Sequence, residues 1–117
     1  IVHAHPLFAT SFTAMKNRIM TNLTAEACAI LGEPKLVPYA LMGTKELAEA
    51  VAEHVFSADI LLLENHGILT TGGNLLQAFD KLEVLENAAR MTLITEIMRK
   101  RSPLSRARIA EIEKFFR

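Results

Sequence analysis

The chain has 117 residues, half of them apolar and 22% charged, with 13 basic residues against 13 acidic ones. That length and apolar content suit a single folded domain with a real core and argue against disorder. The even charge offers no field to gather nucleic acid, and no apolar run approaches the roughly 18 residues of a membrane span, so neither partner is expected.

The opening "IVHAHPLF" has no initiator methionine and no basic stretch of a signal peptide. It reads as the middle of a strand, so residues 1–117 are expected to be the C-terminal part of a longer polypeptide. Ile1–His5 forms that strand, and Pro6, which cannot donate to a ladder, ends it. Pro6 also suits a helix start, with Leu7, Phe8, Phe12 and Met15 at near-helical spacing. In "TNLTAEACAILGEP", Thr24 caps an alanine-rich helix that Gly32 and Pro34 stop. Cys28, the single cysteine, lies in that apolar run and reads as a buried small hydrophobe. One cysteine permits no internal disulfide, which suits a reducing cytoplasm.

"KLVPYALMGT" is a short strand running into a loop, after which Thr44 caps a helix striped by Leu47, Val51 and Val55. "ADILLLEN" is the clearest strand, apolar throughout as when both faces are covered, and "HGILTTGGN" adds a shorter strand and a glycine turn. From Asn74 a long helix carries Leu75, Phe79, Leu82, Leu85, Ala89, Leu93 and Ile97 as one stripe. A last helix starts at Ser105, and Arg99, Lys100, Arg101, Arg106 and Arg108 read as solvated helix-end charge. Strands alternating with helices give an α/β class.

Side chains two apart on a strand share a face, so His3 and His5 project together. His66 follows the buried strand and precedes Gly67, which removes a side chain beside the imidazole. Three neutral nitrogens suit Zn²⁺ or another divalent metal and leave a fourth position open for water or substrate. The competing reading is a structural role for each ring, hydrogen-bonded to backbone. His54, after a helical run, reads as a partly exposed surface residue. Glu64 stands two positions before His66, on the same side by strand alternation, and reads as a candidate base, as a carboxylate that supports its neighbours, or as a surface residue at the strand end.

"IVHAHPLFATSFT", "VPYALMGTKELAEAV" and "ILLLENHGILTTGGNLLQAFDKLEVLENAAR" together resemble the class II aldolase and adducin family over most of residues 1–100. The shared pattern is H-x-H after a strand, HG about sixty residues later, then a glutamate-rich long helix. The resemblance implies a three-layer sandwich, a central mostly antiparallel sheet flanked by helices, here without its N-terminal part. Residues 1–117 would be the C-terminal part of a single such domain, assembled as a cytoplasmic homotetramer.

It further implies that His3, His5 and His66 bind Zn²⁺ or another divalent metal. Tyr39 matches a tyrosine that donates a proton in a neighbouring subunit's site, although a ring packed at a strand end would look the same. The implied reaction is retro-aldol cleavage of a small sugar phosphate, such as fuculose 1-phosphate, to dihydroxyacetone phosphate and an aldehyde. The family's alternatives are ribulose-5-phosphate 4-epimerase chemistry, a related sugar-phosphate dehydratase, or an adducin-like interaction module without catalysis. The family's acid/base carboxylate and phosphate-binding loops lie upstream of the H-x-H. The chain alone is therefore expected to be an inactive metal-binding half-site that needs the missing N-terminal segment of the same polypeptide.

Overall fold

The computed structural model describes residues 1–117. It contains β1 (Val2–Ala4), α1 (Leu7–Phe12), α2 (Ala25–Leu31), β2 (Lys35–Val37), α3 (Lys45–His54), β3 (Ile60–Leu63), β4 (Gly67–Thr70), α4 (Leu75–Met98) and α5 (Arg106–Phe116). The expected elements all form, with capping side chains where the sequence places them. Thr24, Thr44, Asn74 and Ser105 each accept a hydrogen bond from the first turn of the helix that follows. The first strand is shorter than the apolar run suggested. Ile1 and His5 flank β1, because only Val2, His3 and Ala4 pair with β4.

The four strands form one sheet in the order β1-β4-β3-β2. β1 and β3 run antiparallel to β4, while β2 runs parallel to β3, so the sheet is mixed and mostly antiparallel. β3 is central and buried at every position, as its unbroken apolar run requires. Its alternate side chains feed two cores. Ile60 and Leu62 join Ile68, Leu31, Leu82 and Leu85 under α1, α2 and α4. Leu61 and Leu63 join Val37 against Ala50, Val51 and Val55 of α3 on the other face. The fold is α/β, with helices on both sides of the sheet, as expected. Cys28 is buried in α2, and burial raises its thiol pKa, as fits an inert packing residue.

The stripe on α4 is buried only in its middle. Leu82, Leu85 and Ala89 are in the core, joined by Ala78, Val84, Ala88 and Thr92, whereas Leu75, Phe79, Leu93 and Ile97 are exposed. A helix of 24 residues is about 36 Å long. The sheet and the neighbouring helices cover its centre, and both ends project past them. The basic segment after α4 is not uniformly solvated either. Arg101 donates to the Thr92 carbonyl (3.0 Å) and Thr95 Oγ1 (2.9 Å) and pairs with Glu96 at 2.8 Å.

Candidate metal centre

β1 presents His3 on its exposed side, and the chain carries His5 to the same side just beyond the strand. The third histidine arrives through a tight hairpin. β3 and β4 pair as far as Leu63 with Gly67, leaving Glu64, Asn65 and His66 as the connection. The His66 amide donates to the Leu63 carbonyl (3.0 Å), and Asn65 takes a positive φ of 54°, a conformation asparagine tolerates well. His66 therefore sits where the chain leaves β3, in the loop that joins the two central strands.

The three ring centroids form a nearly equilateral triangle with sides of 5.0, 5.0 and 5.2 Å. Each ring offers one nitrogen such that all three lie within 4.8 Å of one another. His3 Nδ1 lies 2.8 Å from the Ile68 carbonyl. A carbonyl can only accept, so Nδ1 carries the proton and donates, and the neutral ring keeps a free lone pair on Nε2. That is the arrangement found in metal-binding histidines, where a backbone carbonyl fixes the tautomer. His3 Nε2 and His5 Nε2 are 3.2 Å apart. Nitrogens bound tetrahedrally to zinc at about 2.0–2.1 Å stand about 3.3–3.4 Å from each other, so this pair is already at ligand spacing.

The electrostatics favour the neutral form of His66. His66 has its pKa lowered, first by burial and then by the neighbouring His3 and His5. Three neutral donors would leave the full charge of a divalent cation available to a substrate oxygen. An open cleft of about 340 Å³ adjoins His5 and His66 and is lined by Thr10, Ser11, Thr13 and Asn65.

The other sequence candidates lie outside this cluster. His54 is half-buried on α3, its Nδ1 donating to the Ala50 carbonyl (2.7 Å). Tyr39 is exposed in the segment after β2 and does not line the cleft beside the histidines. Glu64 turns toward that segment, where Oε2 accepts from the Tyr39 amide at 3.0 Å. Its place in the hairpin loop removes the strand alternation that made it look like a base beside His66.

Sequence reading missed one residue outright. Glu86 of α4 accepts from the amides of Phe8 (2.8 Å) and Ala9 (2.7 Å), at the start of the helix that follows His5. A signal for it existed. Glu86 falls among Leu82, Leu85 and Ala89 on a buried helix face, where a carboxylate needs partners.

Residues 1–93 match the family described as Class II Aldolase and Adducin N-terminal domain. The chain belongs to the class II aldolase and adducin family. An L-fuculose phosphate aldolase from Methanococcus maripaludis is 36% identical over 94 residues, covering 80% of this chain and 51% of its own. A 3-oxo-tetronate 4-phosphate decarboxylase from Haemophilus influenzae is 30% identical over 95 residues, covering 78% of this chain and 45% of its own. The solved structure of an L-fuculose 1-phosphate aldolase superposes with a TM-score of 0.81 at 30% identity, over 97% of this chain and 53% of that one. The chain thus spans about half the length of the curated relatives it matches. The family is generally dependent on a divalent metal, and His3, His5 and His66 are the residues here that could hold one. No helix is long and apolar enough to cross a membrane.

Proposed function

We propose that this chain contributes the metal centre of a divalent-metal-dependent sugar-phosphate aldolase, with His3, His5 and His66 as ligands and Zn²⁺ as the metal. The observation that carries the reading is the convergence of three imidazoles with His3 already fixed in the tautomer that frees Nε2. The 36% identity to an L-fuculose phosphate aldolase supports a ketose 1-phosphate as substrate.

When bound, the cation would polarise the substrate carbonyl and stabilise the negative charge left as the carbon–carbon bond breaks. The chain's own residues do the rest of what falls to this half. His3 and His5 face outward from the end of the sheet and set the position of the site. Burial lowers the His66 pKa and so favours its uncharged, ligating form. Tyr39, exposed and outside this cluster, is proposed to donate a proton in a neighbouring subunit of a cytoplasmic homotetramer. The acid/base carboxylate and the phosphate-binding loops would come from a segment N-terminal to residue 1, so the chain alone would be inactive.

A decarboxylase of a 3-oxo sugar-acid phosphate is the second reading, favoured by the 30% identity to such an enzyme. Both reactions leave an electron pair beside a carbonyl, so one metal centre suits both. Purified full-length protein should contain one divalent metal per chain. It should release dihydroxyacetone phosphate from fuculose 1-phosphate, without epimerising ribulose 5-phosphate or releasing CO₂ from 3-oxo-tetronate 4-phosphate. CO₂ release alone would select the decarboxylase. Absence of stoichiometric metal, with His66→Ala changing nothing, would reject both readings.

A further inference from the structure

Of the three imidazoles, His5 is the one whose placement depends most on the backbone around it. His3 is tied through Nδ1 to Ile68, and His66 is set in a three-residue hairpin. The side-chain hydrogen bond of His5 runs to His3, another candidate ligand, and its ring is exposed. Its ring rests against Gly67, and the backbone that carries it is set by β1 before it and by the start of α1 after it.

The start of α1 lacks the usual means of fixing itself. Its capping residue is Pro6, which has no N–H and no side chain able to accept from the first turn. Glu86 supplies what is missing, one carboxylate oxygen to the Phe8 amide and the other to the Ala9 amide. A charged acceptor makes these bonds stronger than neutral ones, and a negative group suits a helix N-terminus. One turn further along α4, the Arg90 guanidinium lies 5.1 Å from the centre of the Phe8 ring and holds the same residue from its side chain. Glu86 is itself immobilised, since Leu82, Leu85 and Ala89 around it belong to the main core.

We propose that Glu86 is a positioning residue for the metal centre: its two-pronged grip on Phe8 and Ala9 fixes the chain that leaves His5 and so holds the His5 imidazole at ligand spacing from His3. The proposal rests on the reading of His3, His5 and His66 as metal ligands. It connects the long helix to the metal site through backbone alone, since Glu86 touches neither imidazole nor substrate.

Cobalt(II), added to the metal-free full-length protein, serves as the probe, because its visible spectrum reports ligand geometry and its binding can be titrated against a chelator. Glu86→Ala is expected to weaken cobalt binding about ten- to a hundredfold and to change the spectrum. Glu86→Gln, which keeps the shape and one acceptor oxygen, should lose about threefold and recover most of the wild-type spectrum. Leu82→Ala, a buried truncation on the same helix, should lower thermal stability and leave cobalt affinity within about twofold.

Wild-type affinity and spectrum in Glu86→Ala would overturn the proposal, as would an equal loss in Leu82→Ala. If Glu86→Ala does not fold, unchanged cobalt affinity in Glu86→Gln overturns it. A wild-type protein that binds no cobalt refutes the metal reading, and the positioning role falls with it. A wild type that binds cobalt with an indifferent Glu86 refutes the positioning role alone.

Discussion

Gly67 lies against the imidazole of His5. A methyl group at Gly67 would collide with His5 Cδ2 and stand 2.9 Å from the Ala4 carbonyl oxygen and 3.0 Å from His5 Nε2. The glycine is required by this close approach, since its φ is not in the positive range. Gly67→Ala should displace the ring and weaken zinc binding by tenfold or more, measured by calorimetric titration. Because backbone as well as side chain is crowded, it should also destabilise the fold by about 1–3 kcal/mol in denaturant unfolding. Wild-type zinc affinity in this variant would contradict the packing seen between β1 and β4.

Protons compete with a metal for the same imidazole lone pairs. His66 is held below the ordinary histidine value by burial and by its two neighbours, so it remains neutral to lower pH than a free imidazole. Zinc affinity should be lower at acid than at neutral pH, because protonating any of the three imidazoles removes a ligand. Titrations at pH 7.5 and 5.5 check this. Removing the metal with a chelator at neutral pH should abolish turnover of the full-length enzyme, and added Zn²⁺ should restore it.

Asp59 and Lys81 join the start of β3 to α4 at 2.8 Å, and Lys81 also donates to the Thr71 carbonyl at 2.9 Å. The Lys81 hydrogen bond, opposed by partial burial and aided by the Lys81 charge, lowers the Asp59 pKa below its ordinary value. A depressed carboxylate contributes stability above the unfolded value of about 3.9 and loses it as the pH falls below that, through the folded value. Asp59→Asn should therefore lower the melting temperature between pH 5 and 7, and the difference should vanish near pH 2. Asp59 is half-exposed, so solvent screening keeps the effect below about 1 kcal/mol.

Leu61 has no exposed surface and packs with Val37 and Leu63 under α3. Leu61→Ala should cost about 2–5 kcal/mol in equilibrium unfolding, since it removes a buried side chain and leaves a cavity. A loss under 1 kcal/mol would mean that the α3 face of the sheet is much looser than the packing shows.

Much of the fold was legible because its signals are local. Capping residues one turn ahead of an apolar stripe mark α2, α3, α4 and α5, and four consecutive apolar residues mark β3. The ends of α4 were not legible. Periodicity tells which face of a helix is apolar, and only the neighbours decide how much of that face is covered, so Leu75 and Ile97 are exposed where Leu85 is buried. Glu64 shows the same limit at a loop, because strand alternation ceases where the hairpin turns.

By itself, the sequence determined the candidate ligands. A two-residue period puts His3 and His5 on one side, and the H-x-H and HG pattern singles out His66. The tertiary structure alone decided how they are held. Residues 3 and 68 meet through antiparallel pairing, which fixes the His3 tautomer, and residues 5 and 67 meet because a glycine leaves room. Residues 86 and 8 meet because α4 packs across α1. Such contacts join positions more than sixty residues apart, and no local preference of the chain encodes a distance across that separation.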